Sequence, residues 1–216
     1  MKDNKQLFTE FLAPYNYAIG VKGGANFVYH TISAEIDKYI TRTPQEQVKN
    51  PPTRCLISLD IRNMFNEISR ERALEIIDKH FPQLSHLAHL LLAEPTACWY
   101  MTPNGKWKYF DQKEGLPQGC PFSPILAALV LNLIITELDI KLRKRAQERK
   151  LMLMLLDDKE GGVTNLLAYV DDLNAVVPYE DCLYYCNTFK QLAKNLCLRL
   201  REDKSIILTS TNNTSP

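Results

Sequence analysis

The stretch "LLAYVDDLNAVV", residues 166–177, places two adjacent aspartates, Asp171 and Asp172, within an otherwise apolar run of strand-forming residues. Strand formers resume directly after the acids, beginning at Leu173. Two apolar strands that meet at a pair of acids predict a tight hairpin with both carboxylates at its tip. Like charges this close repel each other, so at least one carboxyl should protonate unless a cation neutralises the pair. The pattern therefore indicates a metal site.

A second aspartate pair, Asp157-Asp158, shows by contrast what makes the first pair unusual. It lies in "LMLMLLDDKEGG", residues 151–162, and is followed by a lysine, a glutamate and two glycines. A polar, glycine-containing sequence predicts a turn that carries the pair into solvent. We interpret Asp157-Asp158 as part of a solvated loop. The apolar sequence around Asp171-Asp172, and not the aspartate pair alone, is therefore what indicates a metal site.

A third acid, Asp60, follows the apolar segment "CLISL", residues 55–59. A strand that is apolar on both faces is expected to lie centrally in a sheet, and the strands of the acidic hairpin have the same character. Placed side by side, the two strands would bring Asp60 and Asp171 to the same edge. Alternation puts Tyr169 and Asp171 on one face and Asp172 on the other, so we expect Asp171 to be the ligand and Asp172 to support it. The alternative is that Asp60 is only a turn former.

Carboxylates gathered at a sheet edge without histidine or cysteine indicate a particular chemistry. Such ligands suit hard, oxygen-preferring cations such as Mg²⁺ or Mn²⁺. Two such ions, roughly 3.5–4 Å apart, can activate an attacking hydroxyl and stabilise the leaving oxygen of an in-line phosphoryl displacement. The acids therefore predict metal-dependent phosphoryl transfer.

The overall composition is that of an ordinary globular domain. The chain has 216 residues, 45% of them hydrophobic and 24% charged, and its net charge is +1. This charge predicts no global attraction to nucleic acid, and the length suffices for one domain with a sizeable core. The basic segment "KLRKRAQERK", residues 141–150, is interpreted as a solvated helix end, with a phosphate-contacting face or a localisation signal as alternatives.

Cysteine spacing and hydropathy predict the environment of the protein. The six cysteines show no CxxC spacing, and Cys182 and Cys186, in a predicted helix, have no third ligand nearby. We expect reduced cysteines in the core of an intracellular protein, located in the nucleus or cytoplasm. The N-terminus has no signal-peptide pattern, and the longest apolar run, residues 125–135, is too short to span a membrane. We therefore expect a soluble protein with no membrane partner.

Periodicity and turn signals divide the rest of the chain. Asn104-Gly105, which lies between two aromatic segments, is the strongest short hairpin signal available. Helices are predicted over residues 25–39, 72–80 and 179–196 and from Ser123 onward, a proline-rich loop over residues 41–54, and a strand over residues 205–210. This irregular alternation around two hairpins favours an α+β fold in which an antiparallel sheet packs on helices.

Four segments occur in a recognisable order: "SLDIRNMFNEISR" (58–70), "EGLPQGCPFSPILAALVLN" (114–132), "AYVDD" (168–172) and "LCLRLREDKSIILTS" (196–210). Together they resemble the polymerase motifs of reverse transcriptases, especially those of non-LTR retrotransposons and group II introns. Val170 stands where these enzymes more often carry alanine. The resemblance covers about 150 residues, from Asp60 to Lys204.

The resemblance implies a metal-binding role for the acids. Asp60 and Asp171 would bind two Mg²⁺ ions, with Mn²⁺ as an alternative, and the backbone carbonyl of Ile61 would be a further ligand. Asp172 would complete the acidic cluster. These positions are the catalytic residues that the family pattern predicts.

The resemblance also assigns five other positions. Phe65 would lie under the incoming sugar and exclude a ribose 2′-OH, whereas without the family it would be only a core aromatic. Gln118 and Gly119 would lie along the incoming nucleotide and the template, whereas from spacing alone they belong to a loop before a helix. Tyr169 would contact the primer end. Lys204 would protonate the pyrophosphate leaving group, and its alternative is a solvated lysine.

These motifs imply a polymerase palm with partial fingers and no thumb, with residues 1–54 in the fingers segment and residues 55–216 in the palm. The implied activity is RNA-directed DNA synthesis, in which a dNTP is added to a DNA primer 3′-OH on an RNA template. The chain would be a fragment of a retroelement polyprotein. Two alternatives stay open: a catalytically retired remnant that binds nucleic acid, and the palm of an RNA-dependent RNA polymerase.

Overall fold

The computed structural model describes residues 4–39, 54–155 and 165–209. The helices in these residues are α1 (Asn4–Leu12), α2 (Gly24–Tyr39), α3 (Met64–Glu67), α4 (Arg70–His80), α5 (Ser85–Leu92), α6 (Ser123–Leu155) and α7 (Cys182–Asn195). The strands are β1 (Arg54–Leu59), β2 (Thr96–Met101), β3 (Trp107–Gln112), β4 (Asn165–Tyr169), β5 (Asp172–Pro178) and β6 (Ile206–Thr209). None of the described helices is long and apolar enough to cross a bilayer.

The main sheet is antiparallel, with its strands in the order β4-β5-β1-β6. β1 and β5 therefore lie in the centre, as their apolar sequences predicted, whereas β4, the other strand of the acidic hairpin, lies at the edge of the sheet and not in its centre. Ile57 and Ala175 pair in the middle of the two strands and are fully buried against the helices. The predicted α+β fold with an antiparallel sheet on helices is confirmed.

The two faces of this sheet differ. One face packs on the main core, to which α6 contributes its apolar run; Leu131 in that run is fully buried. The other face is covered at one end by α2, where Val28, Leu56 and Val176 are buried outside the main core. The opposite end of that face carries polar side chains. An uncovered polar end on central strands is where the candidate site lies.

The strands β2 and β3 form a separate two-stranded sheet. The hairpin predicted at Asn104-Gly105 is confirmed, and its loop is closed by the N–H of Thr102, which donates to the carbonyl of Lys106 at 2.9 Å. Gly105 has φ = 71°, in the left-handed region that glycine adopts without strain.

The basic segment 141–150 is not the end of a helix, because α6 continues to Leu155. Its cations instead pair with carboxylates. Arg145 donates from Nε to Asp181 at 2.6 Å, and Arg149 pairs with the same carboxylate, which is almost fully buried. The prediction of a helix end is therefore wrong, whereas Arg143 and Lys144 are solvent-exposed as predicted; Arg145 and Arg149 connect this part of α6 to the turn that precedes α7.

The thiols of Cys182 and Cys186 lie near a third thiol, that of Cys55, which is distant in sequence. Burial raises the pKa of the Cys55 thiol, and the neighbouring Cys182 raises it further. Burial likewise raises the pKa of Cys186 to about 11. All six cysteines are free, but only Cys55 is fully buried and Cys197 is exposed, so the prediction of core cysteines is wrong for Cys197. The predicted loop at Asp157-Asp158 and residues 41–53 of the proline-rich loop lie outside the described residues.

Candidate active site

The central strands bring two of the predicted acids to one edge and one face. Ser58 of β1 pairs with Asn174 of β5. Asp60 lies two residues after Ser58 and Asp172 two residues before Asn174, so both lie toward the same end of the paired strands. Because side chains two residues apart share a face, both carboxylates lie on the face opposite the main core. The uncovered polar end of the sheet is therefore acidic.

The predicted acidic hairpin is confirmed, but its turn changes which acid faces Asp60. Tyr169 pairs with Asp172 across the hairpin, and Val170 and Asp171 form a two-residue turn. Val170 has φ = 57°, so the extended strand ends at Tyr169. The expectation that alternation continues through Asp171 is therefore wrong. Cross-strand partners share a face, and this places Tyr169 beside Asp172.

The three acids interact electrostatically. The pKa of Asp172 is raised above its ordinary value, first by partial loss of hydration, then by the charge of Asp171, and then by that of Asp60. The Asp172 side chain is nevertheless exposed to solvent, because it lies at the uncovered end of the sheet. The repulsion among three carboxylates is what a bound cation would relieve.

The donor set at this edge fits a hard cation, since aspartates supply only oxygen atoms. Across residues 4–39, 54–155 and 165–209, however, no three His, Cys, Asp or Glu side chains are arranged to hold one ion together. Binding of an ion by Asp60 and its two neighbours would therefore require rotation of their side chains. The backbone therefore brings the three aspartates near each other, but their side-chain rotamers do not direct the carboxylates at one common ion position.

Asp60 is fixed by the segment that carries Lys204. The N–H of Arg201 donates to the carbonyl of Asp60 at 2.8 Å, and the N–H of Asp60 donates to Oγ of Ser205 at 3.3 Å. Lys204 lies in the intervening turn, where its N–H donates to the carbonyl of Arg201 at 3.1 Å, and its side chain is exposed. The backbone of this turn is thus held next to the first acid.

Ile61 forms an antiparallel bridge with Leu200. The hydrogen bonds of this bridge come from the flanking residues, such as the N–H of Arg62 to the carbonyl of Arg199 at 2.8 Å. In such a pair the carbonyl of Ile61 points away from Leu200, and it is not used by this bridge.

Phe65 connects the acid-bearing segment to the loop that precedes α6. It is half-buried in α3 and packs against the core. Its carbonyl accepts from the N–H of Leu116 at 2.6 Å, and the carbonyl of Ile68 accepts from the N–H of Gly115 at 2.9 Å. A Cβ at Gly115 would lie 2.5 Å from the carbonyl oxygen of Asn66, so the close approach of loop and helix requires glycine.

Gln118 and Gly119 form the corner of a turn in which the N–H of Cys120 donates to the carbonyl of Pro117 at 3.4 Å. Gly119 has φ = 86°, which a type II turn requires at its third position. A Cβ at Gly119 would meet nothing within 4 Å. The glycine is therefore needed for the turn, and the exposed corner leaves open space beside Gln118.

Residues 26–214 match the family model described as reverse transcriptase (RNA-dependent DNA polymerase). The chain belongs to the reverse transcriptase family. The matched residues include the three acids and the turn at Gln118-Gly119, and the family is that of RNA-dependent DNA polymerases, which are nucleotidyltransferases. Membership of this family implies a general dependence on divalent metal ions. The narrower resemblance to non-LTR and group II intron enzymes stays a prediction. No curated protein matches this reverse transcriptase.

The fold of this reverse transcriptase is similar to that of solved telomerases. The telomerase from Candida albicans, in complex with a TWJ fragment of telomeric RNA, has a TM-score of 0.62 and 11% identity, with 98% of this chain and 34% of that one covered. The apo telomerase from Candida tropicalis has a TM-score of 0.61 and 13% identity, with 97% and 37% covered. The chain thus spans about a third of the length of these telomerases. At these identities the likeness shows the fold, a palm-like sheet with helices.

One organising residue of this reverse transcriptase, Arg70, was not predicted from the sequence. Its guanidinium is buried, and it donates from Nε to the carbonyl of Gly115 at 2.8 Å and from Nη1 to the carbonyl of Glu94 at 2.9 Å. A third bond runs from Nη2 to Oγ1 of Thr96 at 3.2 Å. Arg70 therefore fixes both ends of the β2–β3 hairpin and the start of the Gln118 loop. No local signal marks it, because an arginine in a first helical turn is usually solvated.

Proposed function

We propose that this chain is the palm of an RNA-directed DNA polymerase that adds a dNTP to a DNA primer 3′-OH on an RNA template. Residues 55–216 would form the palm, and residues 1–54 would belong to the fingers. The observation that carries the proposal is the convergence of Asp60, Asp171 and Asp172 at the uncovered end of the two central strands. Acids placed there are accessible to a primer end and to a triphosphate.

The metal-binding residues are assigned from the resemblance to the family motifs, and the open acidic edge supports the assignment. Asp60 and Asp171 would hold two Mg²⁺ ions, or Mn²⁺, with the carbonyl of Ile61 as a further ligand and Asp172 completing the anionic cluster. When bound, such ions lower the pKa of the attacking hydroxyl and stabilise the charge on the leaving group. The chain contributes the rigid backbone: Asp60 is held on both sides by the segment from Arg201 to Ser205.

The remaining roles are assigned to residues around the acids. Tyr169 shares a face with Asp172 and would contact the primer end. Phe65 would lie under the sugar and exclude a 2′-OH, and the exposed corner at Gln118-Gly119 would lie along the incoming nucleotide and template. Lys204, in the turn that holds Asp60, would protonate the leaving pyrophosphate.

The chain spans about a third of the telomerases that it resembles in fold, so further segments would act with it. We place it in a retroelement polyprotein of the non-LTR or group II intron type, inside the cell, in the nucleus or cytoplasm. The telomerase from Candida albicans is solved with RNA, which supports an RNA partner for the present chain.

Primer extension tests the proposed function. The purified chain is given a DNA primer on an RNA template, dNTPs and Mg²⁺, beside the variant Asp171→Asn/Asp172→Asn. Extension by the wild type that is lost in the folded variant supports the proposal. If wild type and variant extend equally, the acids are not the catalytic residues. If neither extends although both bind primed template, the chain is either a fragment that needs the rest of its polypeptide or a catalytically retired remnant that binds nucleic acid.

The sugar selectivity is tested with Phe65→Ala. The expected result is increased incorporation of ribonucleotides relative to dNTPs, because the residue that excludes the 2′-OH is removed. Phe65→Tyr retains the ring and is the matched control. Equal use of both nucleotides by the wild type would instead indicate an RNA polymerase palm.

A further inference from the structure

The β2–β3 hairpin presents a continuous ladder of large side chains to solvent. Trp99 pairs with Tyr109, and Met101 pairs with Trp107, so these four side chains lie on one face of the hairpin. We call them the Trp face. The two tryptophans are 63% and 62% exposed, and the rings of Trp99 and Tyr109 have centroids 4.9 Å apart. An exposed cluster of this kind marks an interaction surface.

The opposite face of the hairpin has a similar character. Tyr100 and Phe110 are both exposed there, with ring centroids 6.4 Å apart, and Lys108 is the cross-strand partner of Tyr100. No aliphatic β-branched residue occurs in either strand. The exposed apolar surface of the hairpin is therefore largely aromatic, and flat rings are available on both sides.

The charge of the hairpin is positive. Residues 96–113 contain three lysines and one aspartate. Lys106 lies in the loop and Lys108 one position into β3, and in the described part of the chain neither forms an ion pair. Asp111 is at the other end of β3, near the base. The positive charge is thus concentrated at the tip, next to the exposed rings.

The hairpin is rigidly connected to the candidate active site. A two-stranded hairpin is only marginally stable by itself in water. Here Arg70 bonds to Glu94 and Thr96 on one side of its base and to Gly115 on the other. The chain then continues from the end of β3 directly into the loop that carries Gln118. The base of the hairpin is therefore fixed next to the start of the loop that the proposed function assigns to the template.

We infer that the β2–β3 hairpin binds a single-stranded polynucleotide, whose unpaired bases stack on the Trp face while Lys106, in the loop at its tip, contacts phosphate. The inference rests on the proposed function, which requires a template or primer strand. Aromatic rings beside cations are the general means of binding single strands, because every base has a π-face and every linkage carries a charge. A protein partner is less well matched, since lysine is depleted in the cores of protein interfaces.

The chain supplies its own reporter for this surface. It has two tryptophans, and both belong to the Trp face. Intrinsic tryptophan fluorescence therefore observes the hairpin alone. The experiment titrates the full chain, without dNTPs, with oligo(U), oligo(dT) and a blunt duplex, and follows quenching of tryptophan emission beside the anisotropy of a labelled oligonucleotide. Oligo(U) and oligo(dT) distinguish an RNA strand from a DNA strand.

The expected result is quenching by a single strand that exceeds quenching by the duplex. Tyr109→Ala leaves both tryptophans in place and should weaken single-strand binding about tenfold, whereas Tyr109→Phe, which keeps the ring, should remain close to the wild type. Lys106→Ala should reduce the salt dependence of binding, with a change in log–log slope of roughly 0.7, whereas Lys108→Ala, on the opposite face, should leave it close to that of the wild type. Far-UV circular dichroism verifies that each variant is folded.

Two results would overturn the inference. One is binding of labelled oligonucleotide without any change in tryptophan emission, which would place the strand elsewhere. The other is tryptophan emission that shifts with protein concentration alone, which would mean that a second copy covers the Trp face. Asp60→Asn separates this inference from the proposed function: it should abolish extension and leave quenching unchanged. Extension by the wild type without quenching would retain the polymerase and reject the hairpin site.

Discussion

The two β-hairpins of this reverse transcriptase have the same antiparallel pairing and opposite surroundings. The β4–β5 hairpin belongs to the four-stranded sheet, is buried against the core, and exposes polar groups only at its tip, around Asp171. The β2–β3 hairpin stands outside that sheet, held at its base by Arg70, and exposes rings on both faces. Burial of the β4–β5 hairpin holds the aspartates at its tip in a fixed position. Exposure of the β2–β3 hairpin leaves its aromatic rings available to a ligand.

The difference should appear most strongly in catalysis. Asp60→Asn removes one of the charges that face the acidic hairpin, and we expect DNA synthesis to fall by at least about a thousandfold. Metal ions contribute several kcal/mol to such reactions, and each ~1.4 kcal/mol is a factor of ten. Single-turnover primer extension measures the effect. Asp78→Asn, an exposed acid on α4, is the matched control and should retain activity. Near-normal synthesis by Asp60→Asn would remove Asp60 from the site.

Local patterns predicted much of this comparison. The acidic hairpin, the central strand before Asp60 and the turn at Asn104-Gly105 were all correct, because alternation and turn chemistry act over a few neighbouring residues. Alternation failed at Val170, whose positive φ ends the strand and puts Asp172 rather than Asp171 opposite the first acid. A valine gives no sequence signal for this conformation, which the surrounding sheet imposes.

The contacts that the sequence did not reveal join distant segments. Arg70 bonds to Gly115, 45 residues away, and Arg145 pairs with Asp181, 36 residues away. Each looks like an ordinary surface residue within its own helix. Their roles depend on which elements pack together, and periodicity along one element contains no information about its neighbours. The same limit applies to Cys55 and its neighbouring thiols.

The second-largest difference between the hairpins should be in how much a side-chain truncation lowers the free energy of unfolding. Leu173→Ala, in the fully buried part of β5, should lower the free energy of unfolding by about 2–5 kcal/mol, because it leaves a cavity in a packed core. Met101→Ala, on the exposed β2–β3 hairpin, should change it by less than about 0.5 kcal/mol. Urea unfolding followed by circular dichroism measures both. A large loss for Met101→Ala would mean that the Trp face is packed in solution.

The turns offer a smaller, reciprocal test. Val170→Gly should stabilise the acidic hairpin by up to about 1 kcal/mol, because glycine adopts a positive φ without the steric penalty of a branched side chain. Gly105→Ala should destabilise the β2–β3 hairpin by about 1 kcal/mol. A Cβ at Gly105 meets nothing within 4 Å, so its effect comes from the backbone alone. Thermal unfolding of both variants checks the opposite signs; equal signs would contradict strain at Val170.

The smallest expected effect concerns charge at the tip of the acidic hairpin. Because the fold raises the pKa of Asp172, its contribution to stability is fully present at low pH and is lost as the pH rises through the folded-state pKa. At neutral pH with chelator, Asp172→Asn should therefore be more stable than the wild type, by under about 1 kcal/mol since the side chain is exposed and screened. The difference in stability between the variant and the wild type should vanish below the ordinary aspartate pKa.

Mg²⁺ should reverse this difference in stability, because it should stabilise the wild type alone. Asp111→Asn, on the other hairpin, lies outside the acidic cluster and should leave the stabilisation by Mg²⁺ unchanged; if it removes this stabilisation as Asp172→Asn does, the effect is one of net charge and not of the acidic cluster.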